Sequence, residues 1–193
     1  MLLRKVEQTL HQNAGGFGGQ VKLQADHEAT EAIIGGYSTN SWEHLRNNFL
    51  SIAGMMFLID LEDSRNRATG QTHPNVATRV FQLLGHLAEL PLVSAQIEKN
   101  SLLVPSKEEL RAFASEVTIP CFFDTIKLAQ DSGSSVIARD LGNPEDFFRD
   151  LEVAKLGNRT KRMEFKTQGA KEWSKLWCCN QLLNPMLGES FQT

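Results

Sequence analysis

The chain has 193 residues, 41% of them apolar and 22% charged, with a formal charge of −3. That balance excludes a disordered chain, and the length is enough to bury roughly 70% of the unfolded surface at a radius of gyration of about 16 Å, with no metal or disulfide needed to complete a core. Three cysteines, Cys121 and the adjacent Cys178 and Cys179, are odd in number and do not form a secreted disulfide framework, so a reducing, cytoplasmic setting is expected.

In chain order, Leu3, Val6 and Leu10 first recur at helical intervals, interrupted by Arg4, Lys5 and Glu7 too early for a signal peptide or a membrane span. "NAGGFGGQ" follows, and its four glycines among residues 15–19 predict a flexible break over 14–20. It lacks the Gly-Lys-Ser/Thr of a phosphate loop. A helix is predicted over Leu23–Ile34, ended by Gly35 and Gly36. Ser41 then offers a cap for a long helix to about Asp63, because Leu45, Phe49, Ile52, Met56 and Ile59 recur at intervals of three and four. Its apolar stretch "FLSIAGMMFLIDL" closes on Asp60, Glu62 and Asp63, a length that suits a buried helix and is too short to span a bilayer.

A polar loop leads to Thr72 or His73 as a cap, Pro74 as first helical residue, and an apolar face of Val76, Val80, Leu83, Leu84 and Leu87. Pro91 predicts a kink or short interruption, and "PLVSAQIEKNSLLVP" marks a subdivision near 91–105 inside one domain spanning 1–193. Ser106 and Glu109 have the spacing of a capping box, placing a helix over Lys107–Glu116, with Pro120 separating it from another over Cys121–Gln130. Ser135–Ala138 reads as a short strand. Asn143-Pro144-Glu145-Asp146 combines a cap, a first-turn proline and acids at a helix start, and Ala170–Leu183 gives a final amphipathic helix. Seven to eight helices and no alternating strand pattern predict an all-α, compact domain.

Candidate chemistry is confined to a few places. His27 and Glu31 share a helix face at i,i+4 and offer an imidazole and a carboxylate to a metal such as zinc, with His73 as a further ligand. Asp60 or Glu62 would complete such a site or pair with Arg79, which needs an acid if buried. Tyr37, Trp42, Trp173 and Trp177 are candidate interface residues, since aromatics supply large contact area. Residues 159–175 carry six basic and two acidic groups, a local +4, which suits a solvated helix face or, as an alternative, a phosphate or nucleic-acid contact.

"KLQADHEATEA" followed after a long helix by "THPNVATRVFQLL" resembles the C-terminal helical part of gluzincin-like zinc metallopeptidases. The resemblance places Ala25 and Asp26 on that family's Ala-Asp, Asp26 beside the metal ligands, and Thr72, His73, Pro74 and Arg79 on its Ser/Thr-His-Pro…Arg segment. Lys22 stands where the family's ligand Glu belongs, and the chain contains no HExxH. The resemblance therefore implies a truncated or degenerate relative that keeps the helical support without the catalytic centre. The sequence reading is a non-catalytic helical domain that binds a protein partner or a second copy of itself and has no resident cofactor. Two alternatives stand beside it: a metal-dependent hydrolase using His27 and Glu31, and a phosphate- or nucleic-acid-binding accessory module.

Overall fold

The structure, a computed structural model, describes residues 23, 25–26, 28–30, 32–65, 74–155 and 164–187. Helical residues lie between 23 and 34 (α1), then at Trp42–Arg65 (α2), Val76–Ile97 (α3), Lys107–Phe113 (α4), Ile119–Asp131 (α5), Ser135–Leu141 (α6), Pro144–Lys155 (α7) and Gln168–Leu187 (α8). The fold is all-α, as the periodicity predicts. Among the described residues no helix is long and apolar enough to cross a membrane.

α3 is the central element. Val76, Ala77, Val80, Phe81, Leu83, Leu84, Leu87 and Leu90 are buried along it, and so are Thr78 and Arg79. Burial extends well beyond the single stripe the sequence suggests, because α2, α6, α7 and α8 all pack against this one helix. An aromatic cluster ties the layers together: Phe122 of α5 lies 4.6 Å from Phe147 of α7, and Phe81 of α3 meets both Phe147 and Trp173 of α8.

Several helix starts follow local chemistry. Asn143 Oδ1 accepts from Asp146 N at 2.8 Å ahead of α7, and Ser106 Oγ accepts from Glu109 N at 3.1 Å ahead of α4. Others differ from expectation. The cap of α3 is Asn75, whose Oδ1 accepts from Ala77 N at 2.9 Å, and Pro74 precedes the helix. Ser41 leaves the start of α2 uncapped by its hydroxyl, which donates back to Ser38 O at 2.8 Å. Ser135–Ala138 is helical, since α6 must turn both Ile137 and Leu141 into the core. Pro91 lies inside α3 without ending it.

Pro120 likewise fails to divide two helices. From Lys107 to Asp131 the chain is continuously helical, with a π-helical stretch at Ala114–Thr118 in which Ile119 N donates to Ala114 O. An ordinary turn before proline brings its ring against the carbonyl four residues back, and a wider turn at that point relieves the conflict.

α8 starts in close contact with α3. A Cβ placed on Gly169 would lie 2.6 Å from Ala77 O and 2.9 Å from Ala77 C, both backbone atoms in a buried helix. In an open helix Gly→Ala is favourable, but here it forces the two helix ends apart. Gly169→Ala is expected to lower stability by about 2 kcal/mol, read from the denaturant midpoint at unchanged slope. An unchanged midpoint would refute the close approach.

Candidate functional site

Asp26 and Arg79, which lie on the two separate segments of the sequence resemblance, meet in space. Arg79 Nε donates to Asp26 Oδ2 at 2.6 Å and Arg79 Nη2 to Asp26 Oδ1 at 2.8 Å, a bidentate pair joining α1 to α3. Arg79 is 5% exposed and Asp26 22%, so the guanidinium is the deeper partner. Gln82 Nε2 adds a bond to Leu23 O at 2.9 Å, which fixes the start of α1 on the same face of α3. This junction is structural in geometry: both carboxylate oxygens of Asp26 are engaged by the arginine.

The acids considered first for Arg79 lie elsewhere. Asp60 lines a groove beside α2, and Glu62 is exposed two residues further on. His27, Glu31 and His73, with Lys22, lie outside the described residues. Among the described residues no three His, Cys, Asp or Glu side chains converge as a metal site would require.

A polar cleft of about 620 Å³ opens where three helix starts come together, at Asn75 just before α3, Asn143 just before α7 and Thr167 just before α8. Gly142 turns the chain into it with φ +78, where a Cβ would also come within 3.0 Å of the Thr167 methyl, so this position favours glycine on both counts. The donors exposed at these helix starts are met by acids of the chain itself. Glu172 accepts from Asn75 N at 3.3 Å and from the Thr78 hydroxyl, and Asp140 accepts from Asn75 Nδ2 at 3.1 Å. Arg139, Lys166 and Lys171 share the cleft with Asp140, Asp146 and Glu172, so the lining charges balance. Behind the cleft, the fully buried Asp150 carboxylate accepts from Lys166 N, Thr167 N and Thr167 Oγ1, at distances between 2.8 and 3.0 Å.

Tyr37 and Trp42 pack edge-on against Phe113, at 5.5 and 5.6 Å between ring centroids, and the Tyr37 hydroxyl donates to Glu109 Oε1 at 2.7 Å. Burial, together with this hydrogen bond and the nearby Glu109 charge, pushes the Tyr37 phenol up to about 12 from an ordinary 10.0. The folded pKa is the higher one, so this contribution to stability is present below pH 10 and is lost as pH rises toward 12. Tyr37 is the only tyrosine in the chain, so ultraviolet tyrosinate absorption reports it alone. The expected midpoint is near 12, falling toward the ordinary value in Glu109→Gln; a wild-type midpoint at 10 would show that neither burial nor the Glu109 contact shifts the phenol. Burial likewise pushes the Cys121 thiol up to about 12, which disfavours the nucleophilic thiolate. Trp173 stacks on Trp177 at 5.6 Å and also meets Phe81 and Phe165, so its ring is used within the chain.

The feature not nominated from the sequence is the outer side of α2. Leu45, Phe49, Ala53 and Met56 face the core, yet Met55, Leu58 and Leu61 on the opposite side are 57%, 60% and 44% exposed. Ser51, Gly54, Leu58 and Leu61 form one stripe at three- and four-residue spacing. Beside it a groove of about 550 Å³ is floored by Leu50, Leu128 and Ile137. The run "AGMMFLIDL" was legible as nearly apolar all round, a composition that belongs to a helix covered on both sides. The described residues cover one. Comparison with protein-family models, curated proteins and solved structures finds no match.

Proposed function

We propose that this chain acts by binding, as a non-catalytic helical assembly domain. The observation that supports this most directly is the two-sided character of α2, whose Met55, Leu58 and Leu61 leave a continuous apolar face in water next to an apolar groove. The nucleophile-type and acid groups that the fold draws inward are engaged in holding it together. Asp26 pairs with Arg79, Asp150 holds the turn before α8, and Cys121 is kept as a buried thiol. The partner class this face suits is a protein surface.

The same reading includes descent from a metallopeptidase-like support. What speaks for it is that the Asp of "KLQAD" and the Arg of "THPNVATR", which the resemblance places on two separate motifs, form the bidentate link between α1 and α3.

Elemental analysis of the purified chain, combined with melting in chelator and in added Zn²⁺, tests the non-catalytic reading. The expected outcome is no stoichiometric metal and an unchanged melting temperature. Stoichiometric metal that is lost on replacing His27 and Glu31, but retained on replacing Glu28, would overturn it in favour of a metal-dependent hydrolase.

A further inference from the structure

We propose that α1 is a displaceable strap, and that the cradle it fills on α3 and α2 takes in its place a partner's helix carrying an aspartate three residues after a leucine. This extends the binding reading to a second site, since none of Arg79, Gln82 and Asn48 lines the groove beside α2.

The cradle has the chemistry of a helix receptor. Arg79, Gln82 and Asn48 are donors on the body of the fold, and each meets an acceptor on α1. Gln82 Nε2 donates to Leu23 O at the start of α1, and Asn48 Nδ2 donates to Ile33 O near its end at 3.0 Å. Those two bonds read main-chain carbonyls, so any helix of the right length satisfies them. Arg79 reads a side chain: its two bonds to Asp26 have the fork geometry that a planar guanidinium offers to a carboxylate. Specificity in the cradle is therefore for an acid at one position.

α1 docks as a peptide ligand does. Leu23, Thr30 and Ile34 are buried and Asp26 half-buried, at steps of three and four along one face, whereas Ala25, Glu28, Ala29, Ala32 and Ile33 are exposed. The Thr30 hydroxyl is spent inside the helix, on Asp26 O at 2.7 Å. The chain leaves α1 through Gly35, at φ +72, and Gly36, and is held again at once by Tyr37 on Glu109 and Phe113. The two glycines thus form the joint between α1 and an anchored point, about which α1 can swing while the body stays closed. Its departure leaves the Arg79 guanidinium without its counter-ion, and a carboxylate on an incoming helix is the chemistry that restores it.

Native-state hydrogen exchange of the wild-type chain tests the strap. Amides of residues 28–30 and 32–34 should exchange together, through an opening smaller than global unfolding, while those of Leu83 and Leu84 in α3 stay protected. The cradle is tested with a synthetic peptide of residues 21–36, VKLQADHEATEAIIGG, added to full-length Asp26→Ala and, as a milder variant, Asp26→Asn. The peptide should raise the melting temperature of both variants with increasing concentration, and the same peptide with Asp26→Ala should not. Wild type should need at least about tenfold more peptide, because its own α1 competes. Amides of α1 that exchange only with global unfolding overturn the strap. No stabilisation of either variant, or equal stabilisation by both peptides, overturns the cradle. Each of these failures leaves the binding reading standing, since that reading falls on retained metal.

Discussion

Asp26→Ala should be among the most destabilising single substitutions in this chain, costing about 3–5 kcal/mol if the core stays closed over an unpaired guanidinium. Arg79 is 5% exposed and has two bonds to that carboxylate, so its charge would lose its counter-ion while remaining out of reach of water. The fold has one means of limiting the cost, which is to release α1 from α3 and hydrate the guanidinium through the opening. Amide exchange should therefore show protection falling first in residues 25–34, with the denaturant midpoint falling as well. The reverse substitution, Arg79→Met, should cost distinctly less, about 1–2 kcal/mol, because Asp26 is the partner nearer to water and Met fills much of the same volume. Equal losses for the two variants would contradict the difference in burial on which the asymmetry rests.

Asp150→Ala is expected to have an effect of similar size for a different reason. Its carboxylate has no exposure and serves two backbone amides and one hydroxyl at the turn before α8. Each buried donor left without an acceptor costs about 1–3 kcal/mol, and the three together should remove about 3–5 kcal/mol after relaxation. The damage spreads along the chain. Thr167 Oγ1 also accepts from Ala170 N at 3.3 Å, so loosening the turn loosens the start of α8, the helix that carries Trp173 against Phe81. Near-ultraviolet circular dichroism should lose tryptophan asymmetry at denaturant concentrations where the far-ultraviolet signal is still helical. Asp150→Asn, which keeps one acceptor oxygen, should fall between the two. A variant with full tryptophan signal and native stability would show that the turn does not depend on this carboxylate.

What sequence reasoning reached, and what it missed, divides along a physical line. Contacts between near neighbours were legible: the Asn143 cap, Pro144 in the first turn of α7 and the Ser106 cap are set by atoms a few bonds apart. The inward face of α2 was legible for the same reason, since Leu45, Phe49 and Met56 repeat with the helix. Contacts across the fold were not. Sequence chemistry says that a buried Arg79 requires an acid, but only the packing of α1 on α3 selects Asp26, fifty-three residues away, over Asp60 and Glu62. Val136 and Ile137 favour a strand locally, and the core's demand for Ile137 and Leu141 on one side makes that segment helical. At the start of α3, Thr72, His73 and Asn75 are all residue types able to cap, and nothing nearby ranks them. The outward face of α2 was hidden differently: an apolar run says that a helix wants cover and is silent on how many sides receive it.

The π-helical stretch at Ala114–Thr118 sets the angular phase of the helix that follows it. Phe113, Val117, Cys121, Thr125 and Ala129 are all buried, a strict repeat of four. An ordinary α-helix advances about 40° too far at each such step, so by Ala129 the row would have wound well round toward solvent. The wider turn takes back part of that excess and lets one straight row of side chains face one core. It behaves as a single extra residue absorbed into the helix: removing one residue there would restore regular winding with α5 in nearly the same phase, but would bring the Pro120 ring back against the carbonyl four residues before it. The wider turn is thus set by the proline that follows it, while small or polar side chains occupy its exposed positions at Ser115 and Glu116.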